Sequence, residues 1–138
     1  MPTDSTCRIT TKDLAILETM FDRYRGSCLH YADLLRRKVR ASKIYLRDDI
    51  PPDVVTLNSL VAYSVDGHPA GPHLLVQSQV RNLPDFALSI HSLRGLALLG
   101  MSKGHRTEIA NPDNQTERLF VDEVRAQPEA ESQSLQRY

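Results

Sequence analysis

The chain has 138 residues, 41% hydrophobic and 25% charged, with 17 basic and 17 acidic side chains. That is enough for one domain with a proper core, or for a core domain carrying a small appendage. No apolar run approaches the roughly 20 residues a membrane helix needs, and a neutral total lacks the broad basic footprint of a dedicated nucleic-acid binder.

The charge is unevenly spread. Residues 1–47 hold ten of the 17 basic side chains and five of the 17 acidic ones, leaving seven and twelve to residues 48–138. Such asymmetry predicts two parts with unlike surfaces. The opening MPTDSTCRITTKD has neither the apolar centre nor the cleavage pattern of a secretory signal, so a cytoplasmic protein is expected. Cys7 falls in a terminus expected to fray, and neither it nor Cys28 has a Cys or His at metal-ligand spacing. Both read as free thiols.

The first element is helical. Thr10 or Thr11 can cap it and Asp13 suits its positive end, ahead of Leu14, Leu17, Phe21 and Tyr24 on one stripe. Arg23 and Arg25 suit the last turn, and Gly26-Ser27 marks the stop. A second helix starts near Cys28 and runs towards Ala41 with Tyr31, Leu34, Leu35 and either Val39 or Lys38 on its apolar side. Two helices of about 14 residues, each about 21 Å long, joined by so short a connection are expected to pack antiparallel through these stripes. The basic run Arg36-Arg37-Lys38, with Arg40 and Lys43, reads as a solvated helix face or one that meets an acidic partner.

Asp48-Asp49-Ile50-Pro51-Pro52-Asp53 cannot continue a helix and marks the boundary. The predicted division is a helical hairpin over 1–47, a sheet domain over 48–131 and a loose polar tail over 132–138, with the looseness setting in from Pro128. Strands are expected at Val54–Leu57 leading into Ser59–Val65 (ended by the Asp66-Gly67 turn), His73–Gln77, Phe86–Ile90, Thr107–Ala110 and Arg118–Val121. The last two read as a hairpin around Asn111-Pro112-Asp113-Asn114. Gly95–Gly100 reads as one or two buried helical turns. The fold class is α+β: a short antiparallel helical hairpin, then an antiparallel β-sheet domain with one short helix.

No phosphate loop, metal-ligand spacing or nucleophile elbow occurs. The five histidines are scattered, and Asp122-Glu123, adjacent on a strand, point to opposite faces. No catalysis, cofactor or metal is expected from these residues.

The stretch Ile90-His91-Ser92-Leu93-Arg94-Gly95-Leu96-Ala97-Leu98-Leu99-Gly100, closed by Gly104, resembles the signature of the Gre-type C-terminal domain. That signature is a strand ending in Ser-Pro-Ile/Leu-Gly, followed by x-Ala-Leu-Leu/Ile-Gly. IPPDVVTLNSLVAYSV and LFVDEVRAQPEA are similar to the branch called regulator of nucleoside diphosphate kinase (Rnk). The likeness spans about residues 48–131 at motif level and 11–45 in outline.

The resemblance implies an FKBP-like fold without prolyl isomerase activity, docked at the rim of the secondary channel of bacterial RNA polymerase. Ser92, Leu93, Arg94 and Gly95 would form the docking loop, with Leu93 replacing the usual Pro and Arg94 an aliphatic residue. Asp22, Arg23, Tyr24, Arg25 and Gly26 would form the hairpin tip.

Gre factors hold a catalytic Mg²⁺ with acidic tip residues, and this tip is basic. A channel-occupying regulator is therefore expected, competing with other secondary-channel factors, with no cleavage activity and no sequence-specific nucleic-acid binding. Two readings stand beside it. One is a helical-hairpin module for another protein partner. The other is a prolyl isomerase, for which the sheet domain offers only Tyr63, Phe86 and Phe120 as aromatics.

Overall fold

The computed structural model describes residues 7–24, 29–78, 80, 82–110, 113 and 115–131. It is mixed α and β. A short strand β1 (Arg8–Thr10) leads into helix α1 (Thr11–Tyr24), followed by α2 (Leu29–Ala41) and strand β2 (Lys43–Tyr45). The second half contains β3 (Leu60–Val65), β4 (His68–Pro69), β5 (His73–Val76), β6 (Ala87–Ser89), helix α3 (Leu93–Leu98), β7 (Arg106–Ala110) and β8 (Thr116–Ala126).

Thr10 caps α1, its hydroxyl accepting the Asp13 amide at 3.1 Å, which satisfies one of the four amides a helix start leaves without partners. The expected stripe is real. Leu17 is fully buried, and Leu14 and Phe21 pack against the core from half-buried positions. On α2 the positions Tyr31, Leu34, Leu35 and Lys38 are buried while Arg36, Arg37 and Arg40 are exposed. With Lys43 also exposed, four of the five members of the basic run are solvated, and Arg36 and Arg37 both reach Asp33. Lys38 corrects the reading of a uniformly solvated face, because it lies inside.

The main sheet has the order β6-β5-β3-β8-β7, with β4 paired to β3. β3 carries Val61 and Tyr63 to the buried face, and β8 carries Leu119 and Val121, the period of two that a half-buried strand needs. Asp66 (φ 52°) and Gly67 (φ 85°) make the turn the sequence announces. A fully buried Leu stabilises by about 1.5–3 kcal/mol. The core cluster joins Leu17, Leu35, Leu75, Ile90, Leu96, Leu98 and Leu119 without a break between helices and sheet.

Several expectations are corrected. The sheet is mixed, because β5 and β6 pair in parallel. β1 and β2 form a second, parallel pair, so the segment from Cys7 onward does not fray. Val54–Leu57 is no strand: Val54 makes one isolated bridge to Ser102. Thr56 and Ser59 close a turn instead, with Thr56 N donating to Ser59 Oγ and Ser59 N to Thr56 O, both at 3.0 Å. Such side-chain bonds compete directly with a ladder. β8 runs well past Val121. Residues 128–131 form a helical turn with Glu129 buried, so the chain is not loose from Pro128. Residues 132–138 lie outside the described residues, as does most of the 111–114 turn.

Asp13 has a role beyond the helix end. It is 1% exposed and accepts the Leu57 amide at 3.2 Å. Glu129 stands near it and accepts the Thr56 hydroxyl at 2.7 Å. Burial pushes the Asp13 carboxyl above its ordinary 3.8, opposed by the Leu57 bond and reinforced by the Glu129 charge. A raised folded-state value favours the fold fully below 3.8, and that contribution is lost as pH rises through the folded value. Asp13→Asn keeps the acceptor and removes the charge. Its urea midpoint should therefore match wild type near pH 3.5 and exceed it near neutrality. An equal difference at both pH values would show that Asp13 titrates as it does in the unfolded chain.

Candidate functional site

The segment singled out in the sequence, Ser92 to Gly95, folds as the cap and first turn of α3, so it is helical from Leu93 onward. Ser92 sits at φ −93°, ψ 155° and accepts the Gly95 amide on its hydroxyl at 3.1 Å. The same residue ties the turn to β6, its amide and hydroxyl both donating to Ser89 O, at 3.1 and 2.6 Å. Leu93 packs half-buried against the core. Gly95 passes so close to β6 that a Cβ there would lie 1.9 Å from Ser89 O, which explains the glycine without any appeal to unusual dihedrals. Ala97, Leu98 and Leu99 are core, as expected.

Arg94 is not a free loop charge. Its Nε and Nη2 donate to the two carboxylate oxygens of Glu117 on β8, at 2.9 and 3.0 Å. This fork-to-fork geometry fixes the guanidinium plane. The Arg94 hydrogen bond holds the Glu117 carboxyl below its ordinary range against the opposing effect of burial. With 42% and 21% of the two side chains exposed, solvent screens the pair. Its value here is orientation.

Asp22 and Arg23 lie exposed on the last turns of α1. Arg25 and Gly26 fall outside the described residues, and of Tyr24 only the backbone is described. A groove of about 510 Å³ runs between Ala15, Ile16, Thr19, Met20 and Arg23 of α1 and Gln77, Ser78 and His91 opposite. Arg23 and His91, the residue before Ser92, thereby line one groove from opposite sides. Burial pushes His91 below its ordinary 6.5, opposed by its bond to the Gln77 backbone and aided by Arg23.

Among the described residues, no group of three His, Cys, Asp or Glu could hold a metal ion. Nor is any helix among them long and apolar enough to cross a membrane.

Sequence reasoning missed four residues around this site. Tyr31 of α2 donates its hydroxyl to Ile90 O at 2.5 Å. Lys38, 8% exposed, donates to Ala97 O at 2.8 Å, Leu99 O at 2.5 Å and Cys7 Sγ at 3.7 Å. Glu117 anchors Arg94, and Asp13 anchors Leu57. Tyr31 and Lys38 left a trace in the sequence on the apolar stripe of α2, and Asp13 in the first turn of α1, but the groups they hold did not.

No protein-family model matches the chain, and no curated protein does. Among solved structures it is similar to the prokaryotic transcription elongation factor GreA/GreB from Nitrosomonas europaea. That likeness has 26% identity and TM-score 0.66, over 86% of this chain and 98% of that one. It is also matched to GreA factor homolog 1 (Gfh1) of Thermus thermophilus, at 16% identity and TM-score 0.40 over 84% and 96%. Thermus aquaticus Gfh1 gives 14% and 0.40 over 84% and 96%. The two Gfh1 superpositions are too loose to carry any feature across. Over nearly its whole length the chain is thus similar to a solved transcription elongation factor of the GreA/GreB type.

Proposed function

We propose that this chain is a regulator of bacterial RNA polymerase that occupies the secondary-channel entrance and does not cleave transcripts. The observation that carries the reading is the end-to-end likeness to the Nitrosomonas europaea elongation factor, which spans 98% of that chain. In this reading α1 and α2 form a stubby hairpin, and the sheet with α3 forms an FKBP-like domain that docks at the channel rim. The docking element is the turn Ser92–Gly95, with Arg94 held by Glu117 as its charged member. The short helix pair fits the Rnk-type branch better than a long coiled coil. The protein would act in the cytoplasm, beside the polymerase.

Lack of cleavage follows from charge. A second Mg²⁺ at the catalytic centre needs carboxylate oxygens at the far end of the hairpin. Between Phe21 and Tyr31 the sequence offers one acid, Asp22, followed by Arg23 and Arg25. Two guanidinium groups repel a divalent cation and compete for that carboxylate. α1 itself has 14 residues, about 21 Å of reach at 1.5 Å per residue.

The test begins with purified core RNA polymerase. Direct binding is expected, with no shortened transcripts from a stalled complex at any Mg²⁺ level. Cleavage stimulated by a genuine Gre factor should slow as this protein is added. Stimulated cleavage by this protein alone would overturn the mechanism, and an absence of binding would remove polymerase as the partner.

A further inference from the structure

We propose that Tyr31 and Lys38 are positioning residues which clamp α3 to α2, so that the docking turn and the α1–α2 pair are carried as one rigid body. The inference rests on the polymerase reading for its consequence, but its structural basis is independent of that reading.

The two side chains are seven residues apart, two turns on one face of α2, which places them about 10.5 Å apart along its axis. α3 has six residues, about 9 Å of helix. The clamp matches the length of what it grips. Tyr31 takes the carbonyl of Ile90, just ahead of α3, and Lys38 takes those of Ala97 and Leu99, at its end. α2 and α3 therefore run in the same direction, with Leu34 and Leu35 buried between the two grips.

The chemistry of Lys38 argues for more than filling space. An ammonium has three donors and no acceptor. Here all three directions are used, on Ala97 O, Leu99 O and Cys7 Sγ. The last carbonyls of a helix lack partners within the helix itself, and a cation meets them with charge-assisted bonds. An apolar side chain of similar length would bury the same surface but remove the ammonium donor from both carbonyls, leaving Leu99 O to the weaker Cys7 thiol at 3.5 Å. Burial pushes the Lys38 amine below its ordinary 10.5, opposed by its interaction with Cys7.

The docking turn is held separately, by the Ser89–Ser92 bonds and by Arg94–Glu117. Loosening the clamp should therefore leave the turn able to dock while the helix pair loses its fixed direction. Docking and channel occupation become separable.

The experiment uses the full chain with Tyr31→Phe and Lys38→Met, alone and combined, and Lys38→Arg as the conservative variant. Genetically encoded spin labels at the exposed positions Glu18 and Glu108 leave Cys7 untouched. Wild type should give one narrow label distance, the double variant a distribution broader by several ångströms, and Lys38→Arg a narrow one again. A narrow distance in a folded double variant would overturn the clamp. Should the double variant fail to fold, Tyr31→Phe, which loses a single hydroxyl, is read instead by the same criterion.

On polymerase, the double variant should bind within about threefold of wild type, because the docking turn keeps its own bonds, yet show the same broadened label distance in the complex. A folded double variant whose binding falls well beyond threefold would mean that the two residues hold the docking turn itself and do not act as a separate clamp. If wild type itself fails to bind polymerase, the functional reading falls, while the distance measurement still decides the clamp.

Discussion

Gly95→Ala is expected to unseat α3 and to disrupt the Ser92–Gly95 turn with it. The added Cβ would stand 1.9 Å from Ser89 O and 2.6 Å from Ser89 C. Both atoms are backbone, so no side chain can swing aside to relieve the contact. Overpacking that flexible side chains can absorb costs about 1–3 kcal/mol, and this contact should exceed that range. To relieve it α3 must lift from β6, breaking the two Ser92 bonds to Ser89 O and drawing Leu96 and Leu98 out of the core. Gly67→Ala is the control. Nothing lies within 4 Å of a Cβ there, so only its φ of 85° is strained, a cost of about 1–2 kcal/mol. Urea unfolding of both variants separates collision from backbone strain. A Gly95→Ala protein as stable as the Gly67→Ala control would contradict the close approach of α3 to β6.

Leu17→Asp should unfold helices and sheet together. Leu17 has no exposed surface and belongs to the same buried cluster as Leu75, Ile90, Leu96 and Leu119. A carboxylate placed there must be desolvated beside apolar neighbours or take up a proton, and either is costly. A loss above about 4 kcal/mol is expected, a large share of the roughly 5–15 kcal/mol that holds a typical domain together. The two halves of the chain are further tied by Asp13 to Leu57, Tyr31 to Ile90 and Lys38 to Leu99. Far-ultraviolet ellipticity and amide protection across β3 and β8 should therefore be lost in one transition. Retention of a native sheet beside melted helices would show that residues 48–131 fold without the helix pair.

The sequence by itself determined the elements whose cause is local. The 3-and-4 spacing of Leu14, Leu17 and Phe21 set α1, with Thr10 as its cap. The Asp66-Gly67 pair set the turn after β3. Ala97, Leu98 and Leu99 were legible as core because a short apolar run between glycines has no other stable place. Gly95 was legible as a residue that serves backbone geometry, and its close approach to Ser89 is the reason.

Only the tertiary structure decided which polar groups are buried and what they hold. Lys38 looked like one more member of a basic run, yet its partner Leu99 stands 61 positions away. Asp13 looked like a helix-end acid and turned out to hold an amide 44 positions on. Arg94 is oriented by a carboxylate 23 positions later, and β1 is fixed by a parallel neighbour on the far side of both helices. Spacing along the chain reports the preferences of neighbouring residues. A charge finds its buried partner only when distant segments are brought together by the burial of apolar surface, and that collapse is a property of the whole chain.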